Sequence, residues 1–307
     1  MDSKFSPLRD ALSTVLFGKP EVIELTLIGA LGGGHLLIED LPGVGKTTLG
    51  RAISTLLGGS FQRVQFTADL MPSDLTGVNV FRPQDASFQL TPGPVFCNVL
   101  LADELNRASP KVQSSLLEAM AESQVTLDRE SHALPAPFWV IATQNPVSFE
   151  GTFPLPESQL DRFGLCLEIG YPSREAEREA LKRRGGDSAV GSLQPQLSTE
   201  EWRMARQAVQ EVHVSEDIIE YMLDIVAQTR THPELRVGVS TRGALSWQRA
   251  CMARAHLFGR AYVSPDDVKR LAVPALAHRV WPSRPGAQRA ERVSLIQGVI
   301  DRARVPR

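Results

Sequence analysis

The chain has 307 residues, 42% of them hydrophobic and 22% charged, with a formal net charge of -2. At about 150 residues per domain this suggests roughly two domains with buried cores, and it excludes a small disulfide scaffold, a fibrous chain and wholesale disorder. The small net charge hides a division, because residues 1–172 carry 11 basic and 19 acidic side chains and residues 173–307 carry 22 and 16. Opposite signs suit two lobes that meet or subunits packed lobe against lobe, and equally two solvated surfaces.

From Phe5 to Ala30 the apolar residues recur at helical spacing, which predicts two helices hinged at Phe17-Gly18-Lys19-Pro20. His35-Leu36-Leu37-Ile38-Glu39 reads as a strand, followed by a glycine-rich turn and a helix from Lys46 to Leu57. Further apolar runs at Arg63 to Phe66, Val99 to Ala102, Phe138 to Ala142 and Leu165 to Ile169 alternate with helical patterns such as Pro110 to Glu122. Buried strands alternating with helices imply an α/β fold, a mostly parallel sheet covered on both faces. Gly77 to Phe96 and Gln124 to Pro137 do not fit simple crossovers, and each reads as an inserted hairpin.

Beyond Pro172 strands disappear from the pattern. Thr199 to Val212, Ser215 to Thr229, Thr241 to Phe258 and Pro265 to His278 read as helices, with Ser198, Ser215, Ser240 and Ser264 at N-cap positions and a loop at Gly185 to Pro195. The expected organisation is an αβα unit over 1–172, with inserts at about 77–96 and 124–137, and a helical lobe over 173–307. Cys97, Cys166 and Cys251 are scattered in apolar contexts, as buried thiols in a reducing compartment would be. The N-terminus has no apolar signal core and no greasy run is free of charges, so a cytoplasmic location is expected. The histidines show no metal-ligand spacing.

The most informative string is Glu39-Asp40-Leu41-Pro42-Gly43-Val44-Gly45-Lys46-Thr47-Thr48, placed between a strand and a helix. A triphosphate needs converging backbone N–H groups, hence glycine at close approach, a positive helix N-terminus, a cation for the β- and γ-phosphates and a hydroxyl for Mg²⁺. Gly43, Gly45, Lys46 and Thr47 supply these, although the general GxxxxGK[ST] pattern has glycine where this chain has Asp40, whose charge should point away from phosphate. Asn98-Val99-Leu100-Leu101-Ala102-Asp103-Glu104 is an apolar strand ending in two acids. Asp103 is the candidate magnesium ligand and Glu104 the candidate general base that polarises the attacking water. The strand before Gln144-Asn145-Pro146 also releases polar residues at its carboxyl end, where ligands of parallel sheets sit, so Asn145 either orients that water or merely turns the chain.

With these strings in order, residues from about 16 to 282 resemble the MoxR branch of the AAA+ ATPases. The resemblance also rests on Gly93-Pro94-Val95-Phe96, Asp103 through Ala108, Gln113 through Met120 and Leu155 through Phe163, and Asp40 is normal for this branch. It implies ATP and Mg²⁺ as ligands, a ring, usually hexameric, with nucleotide at subunit boundaries, and a helical lid over each nucleotide. Arg162 would be the arginine finger, a group that raises turnover by about 10³ to 10⁵ fold in such systems. A surface pair with Asp161 or Glu157 is the alternative for it. Arg242, at the start of a lid helix, looks like the second sensor arginine, with cis or trans action open. Phe17 and Gly18 match the adenine-contacting segment, and core packing explains them almost as well. Two roles fit Arg107: action at the ring interface, or bracing Glu104.

The inserts are similar to the helix-2 and pre-sensor inserts of relatives that include DNA helicases and magnesium chelatase subunits. A DNA motor should line such inserts with Lys and Arg. Residues 77–98 hold only Arg82, and 124–137 only Arg129, so nucleic acid fits poorly. The family resemblance instead implies an ATP-driven remodeller of a client protein, working with a partner that carries a von Willebrand factor A domain. A nucleic-acid motor using the basic tail, where residues 279–307 hold seven Arg against Glu291 and Asp301, and an ATP-regulated scaffold without turnover are the alternatives.

Overall fold

The helical spacing at the start of the chain folds as α1 (Ser6–Ser13) and α2 (Pro20–Gly32), the latter opened by Pro20 and ended by Gly33 in the left-handed conformation. The computed structural model describes residues 1–41, 43–84, 86–145, 152–182, 187–284, 286 and 288–306. β1 (His35–Glu39) is buried at every position and leads through the glycine-rich turn into α3 (Lys46–Leu56). There follow β2 (Phe61–Gln65), the short α4 (Pro72–Thr76), a hairpin of β3 (Gly77–Arg82) and β4 (Ser87–Pro92), and β5 (Val99–Asp103). After α5 (Pro110–Glu122) come a second hairpin, β6 (Gln124–Leu127) with β7 (Glu130–Ala133), then β8 (Trp139–Gln144), α6 (Glu157–Leu160) and β9 (Phe163–Leu167).

The five long strands form one sheet in the order β2-β5-β8-β1-β9, every pair parallel. Its residues alternate between two apolar clusters: Leu36 and Ile38 face one, Leu37 the other, so both faces are covered as the sequence pattern requires. β2 begins two residues earlier than its apolar run predicts. It is the edge strand, with Gln62 and Arg63 exposed, and so carries polar residues that a central strand could not. Both inserted hairpins are present. Phe81 and Phe88 pair across the first, their centroids 5.3 Å apart, and Asn79 Nδ2 donates to Asp128 Oδ2 (2.9 Å) at the turn of the second.

The C-terminal half comprises α7 (Arg174–Lys182), α8 (Asp187–Val190), α9 (Thr199–Gln210), α10 (Glu216–Thr231), β10 (Leu235–Val237), α11 (Thr241–Leu257), α12 (Pro265–Leu276), β11 (Trp281–Pro282) and α13 (Arg289–Arg302). Ser198, Ser240 and Ser264 accept the capping hydrogen bonds expected of them, whereas Ser215 holds the cap position without one. Two expectations are corrected: strands do not vanish, because β10 and β11 pair antiparallel, and α8 occupies part of the segment read as a loop. The basic tail contains a 14-residue helix, α13.

The charge division has a physical use, since acids of the N-terminal half meet arginines of the C-terminal half. Arg254 Nε lies 3.0 Å from Glu24 on α2, and the same guanidinium, with Arg260, surrounds the fully buried Asp267. Trp202 donates to Ala30 O (3.0 Å), so α9 is fastened to α2; α11 also packs against α2 and carries α12 on it. All three cysteines are buried thiols, and among the described residues no helix is long and apolar enough to cross a membrane.

Candidate functional site

At the carboxyl end of β1 the backbone adopts the positive φ values that require glycine, 84° at Gly43 and 98° at Gly45. A Cβ at Gly43 would meet nothing within 4 Å, so the glycine is required by its φ and not by crowding. Lys46 opens α3 and is almost buried, its Nζ donating to Asp40 O at 2.9 Å. Burial lowers its ammonium below the usual range, partly offset by the charges of Asp103, Asp40 and Glu104. Thr47 and Thr48 follow in the first turn, half-buried. Pro42 lies outside the described residues.

Asp40 turns away from this loop. One carboxylate oxygen accepts from Leu41 N at 2.7 Å, and the other from Ile169 N and Gly170 N, each at 2.6 Å, so its charge is spent on the connection between β9 and α7. A recess of about 480 Å³ beside the loop is lined by Phe17, Gly43, Val44, Gly45, Thr48 and Tyr171, among others. Gly18 does not line it; at φ 68°, with Ala176 Cβ 2.7 Å from where its own Cβ would be, it permits the close approach of α7. Of the expected lid, only α7 borders this recess. The arrangement suits a nucleotide: an apolar wall, two glycine amides, a cation and a helix N-terminus converge.

Asp103 ends β5 with Oδ1 accepting from Thr143 Oγ1 (2.6 Å) and Oδ2 from Arg63 (2.7 Å). Glu104 follows in the left-handed region, φ 56° and ψ 46°, an uncommon conformation for a non-glycine residue. Its amide donates to the same Thr143 hydroxyl at 2.9 Å, and its Oε2 lies 2.7 Å from Arg107 Nε. Of the two roles open to Arg107, the brace on Glu104 is the one a single subunit displays. Asn145 stands half-buried beyond β8, the strand beside β5. Asp103 and Thr47 carry oxygen atoms of the kind Mg²⁺ takes, and a cation at Asp103 would have to displace Arg63.

Arg162 and Arg242 are brought together, but not with the phosphate loop. They line a recess of about 560 Å³ that includes Gly34, His35 and Phe138, residues at the amino ends of β1 and β8. Those are the opposite ends of the strands from Gly43 and Asn145. The acids offered as surface partners for Arg162 are engaged elsewhere: Glu157 by Arg236, Asp161 by Arg279 at 3.0 Å. Arg162 donates instead to Leu117 O.

Sequence reasoning missed Thr143, Arg63, Arg206 and Arg249. Thr143 is a buried hydroxyl on an apolar strand two residues ahead of Asn145, a legible signal; Arg63, on an edge strand, gives none. Arg206 and Arg249 line the same recess as Arg162 and Arg242. Arg249 lies two helical turns beyond Arg242, a spacing visible in the chain. Burial brings Arg206 down to about 10.

Comparison with known proteins gives the same picture. Residues 35–165 match the ATPase family associated with various cellular activities (AAA), and residues 227–298 match the AAA lid domain. An uncharacterized Bacillus subtilis protein, YeaC, is 45% identical over 269 residues, 88% of this chain and 84% of its own. The chaperone MoxR1 of Mycobacterium tuberculosis is 38% identical over 87% of this chain and 72% of its own. A crystal structure from Cytophaga hutchinsonii, described as a candidate ATPase, superposes with a TM-score of 0.89 at 34% identity, covering 99% of this chain and 95% of that one.

Proposed function

Because this chain belongs to the MoxR family of AAA+ ATPases, we propose that it hydrolyses ATP at the boundaries of a homo-oligomeric ring, hexameric by family resemblance, to remodel or mature a client protein. One observation carries the reading: the phosphate loop and the pair Arg162 and Arg242 stand at opposite ends of one sheet. β1 has five residues, so the two ends are about 16 Å apart, too far for an arginine to reach its own subunit's phosphates. Each half-site is completed by the other half of a neighbouring copy, with Arg162 as finger and Arg242 acting in trans.

Within that arrangement Gly43, Val44 and Gly45 offer their amides to phosphate oxygens, Lys46 neutralises the β- and γ-phosphates, and Thr47 and Thr48 offer hydroxyls. Thr47 and Asp103 would hold Mg²⁺, which would offset the charge of the phosphates. Phe17 packs against the base, with Gly18 setting its approach. Glu104, released from Arg107, accepts the proton of the attacking water, and Asn145 orients that water. The finger steadies charge as it develops on the transferred phosphoryl group.

The client is a protein rather than a nucleic acid. The protruding hairpin exposes Val78, Val80, Phe81 and Phe88, and three of the seven tail arginines, Arg279, Arg289 and Arg292, turn inward to Asp161, Glu39 and Glu168. The name of the chaperone MoxR1 supports the same assignment, and a partner with a von Willebrand factor A domain and a cytoplasmic setting complete the proposal. The test is steady-state phosphate release. Wild type turns over, and Glu104→Gln binds ATP without turnover and co-purifies with partner and client. Wild-type protein that binds ATP but never releases phosphate, or undiminished hydrolysis by Glu104→Gln, refutes the assignment.

A further inference from the structure

β1 ends at Glu39, the residue before the one that opens the phosphate loop. Its carboxylate is buried at 5% exposure, with Oε1 accepting from Gln144 Nε2 at 2.5 Å and Oε2 from Arg289 Nη1 at 3.1 Å. Arg292 Nη2 stands 3.6 Å from Oε1. Arg289 also reaches Glu168 Oε1 at 2.7 Å, just beyond β9, and Cys166 Sγ at 3.0 Å. Glu39 and Gln144 are register partners on β1 and β8, and Gln144 immediately precedes Asn145. Arg289 and Arg292 occupy the first turn of α13, 250 residues further along the chain.

One buried carboxylate therefore ties together the strand that leads into the phosphate loop, the strand that leads into the sensor asparagine, and α13. Apolar side chains of similar volume would pack this junction at least as stably, since desolvating an acid and two guanidinium groups costs most of what their attraction returns. What the charged junction adds is geometry. A bidentate guanidinium bridging Glu39 and Glu168 fixes the heights of β1 and β9 against each other, and Gln144 fixes β8 to the same carboxylate.

We propose that Glu39 and Arg289 are positioning residues for ATP hydrolysis, transmitting the placement of α13 to the spacing between the phosphate loop and Asn145. A shift of α13 moves Arg289, and Glu39 and Gln144 follow. The pair touches no reacting atom and acts through Asn145 and the loop. This rests on the hydrolytic reading given above, so its test must separate the two.

The experiment measures kcat and KM for ATP, melting temperature, and deuterium uptake of α13 with and without ATP, in wild type, Glu39→Gln, Arg289→Gln, Arg289→Lys and the Glu39→Gln/Arg289→Gln double variant. The single variants lose about ten- to a hundredfold in kcat, the size of one charge-assisted hydrogen bond, with KM nearly unchanged. Arg289→Lys recovers part of the loss, the double variant is no worse than the worse single, and ATP alters exchange in α13 of wild type only. Arg289 sits at the rim, so its variants keep the test alive should Glu39→Gln fail to fold. Folded single variants with wild-type kcat, or losses that multiply in the double variant, overturn the inference alone. A wild type that does not hydrolyse ATP overturns it together with the proposed function.

Discussion

If the phosphate loop of one copy works with the arginines of another, two dead variants should revive each other. Lys46→Ala removes the cation at the loop but leaves Arg162 and Arg242 intact; Arg162→Ala does the reverse. Alone, Arg162→Ala should fall by about 10³ to 10⁵ fold, the worth of a finger. In rings assembled at random from equal amounts of the two, each boundary takes its loop from one copy and its finger from the next, so about a quarter of boundaries are whole in a heterologous ring. The mixture should then exceed either parent by more than about a hundredfold. The measurement is phosphate release after subunit exchange, with mixed assembly verified by differently tagged copies. Mixed rings no more active than their parents would mean that each copy completes its own site, and the separation along β1 would have been misread.

Four further outcomes follow from the same geometry. His35 Nδ1 accepts from Val140 N and its Nε2 lies against Met120 O, so the ring is held neutral, with burial lowering its pKa to about 4. Since the unfolded ring binds a proton near 6.5, stability is full above that value and falls as pH drops towards 4, by about 3 kcal/mol at 1.36 kcal/mol per unit; acid melts of wild type and His35→Gln should diverge across that window, and parallel curves would contradict it. Asp267→Ala strands Arg254 and Arg260 around a buried gap and should cost about 3 to 5 kcal/mol in denaturant melts; a loss under about 1 kcal/mol would count against the network. Arg63→Ala frees Asp103, so half-maximal activity should need less Mg²⁺, and an unchanged requirement would show that the Arg63 contact does not compete. Asp40→Asn weakens two bonds to the β9 connection and should lower stability by about 1.5 to 3 kcal/mol while phosphate binding persists; lost ATP binding at full stability would reverse that division of labour.

Much of this was legible in the chain. The alternation of Leu36, Leu37 and Ile38 between two cores, the glycines at 43 and 45 and the acids closing β5 all follow from local pattern, because a buried parallel strand and a phosphate loop each demand particular residue types. The orientation of Asp40 was also foreseeable, since its charge has no place beside phosphate. What local pattern does not carry is the partner across space. Nothing near Arg107 says that it braces Glu104 rather than facing a neighbour, and nothing near Arg289 says that it ends at Glu39. The tail's role stayed open because its arginines have few acids nearby in sequence to say which acids they meet. Those acids lie at the ends of β1 and β9, and tertiary packing brings them there.

The two protruding hairpins leave the sheet on either side of β5, one just before it and one after α5, and they touch at Asn79 and Asp128. That contact closes a loop of chain that includes β5, the strand that ends at Asp103. If the hairpins grip a client as proposed, a tug on either tip would be shared by both arms through that contact. A disulfide replacing the pair should stiffen this linkage and alter how client binding changes hydrolysis while leaving unloaded turnover alone. Equal stimulation with and without the crosslink would mean that the arms work separately.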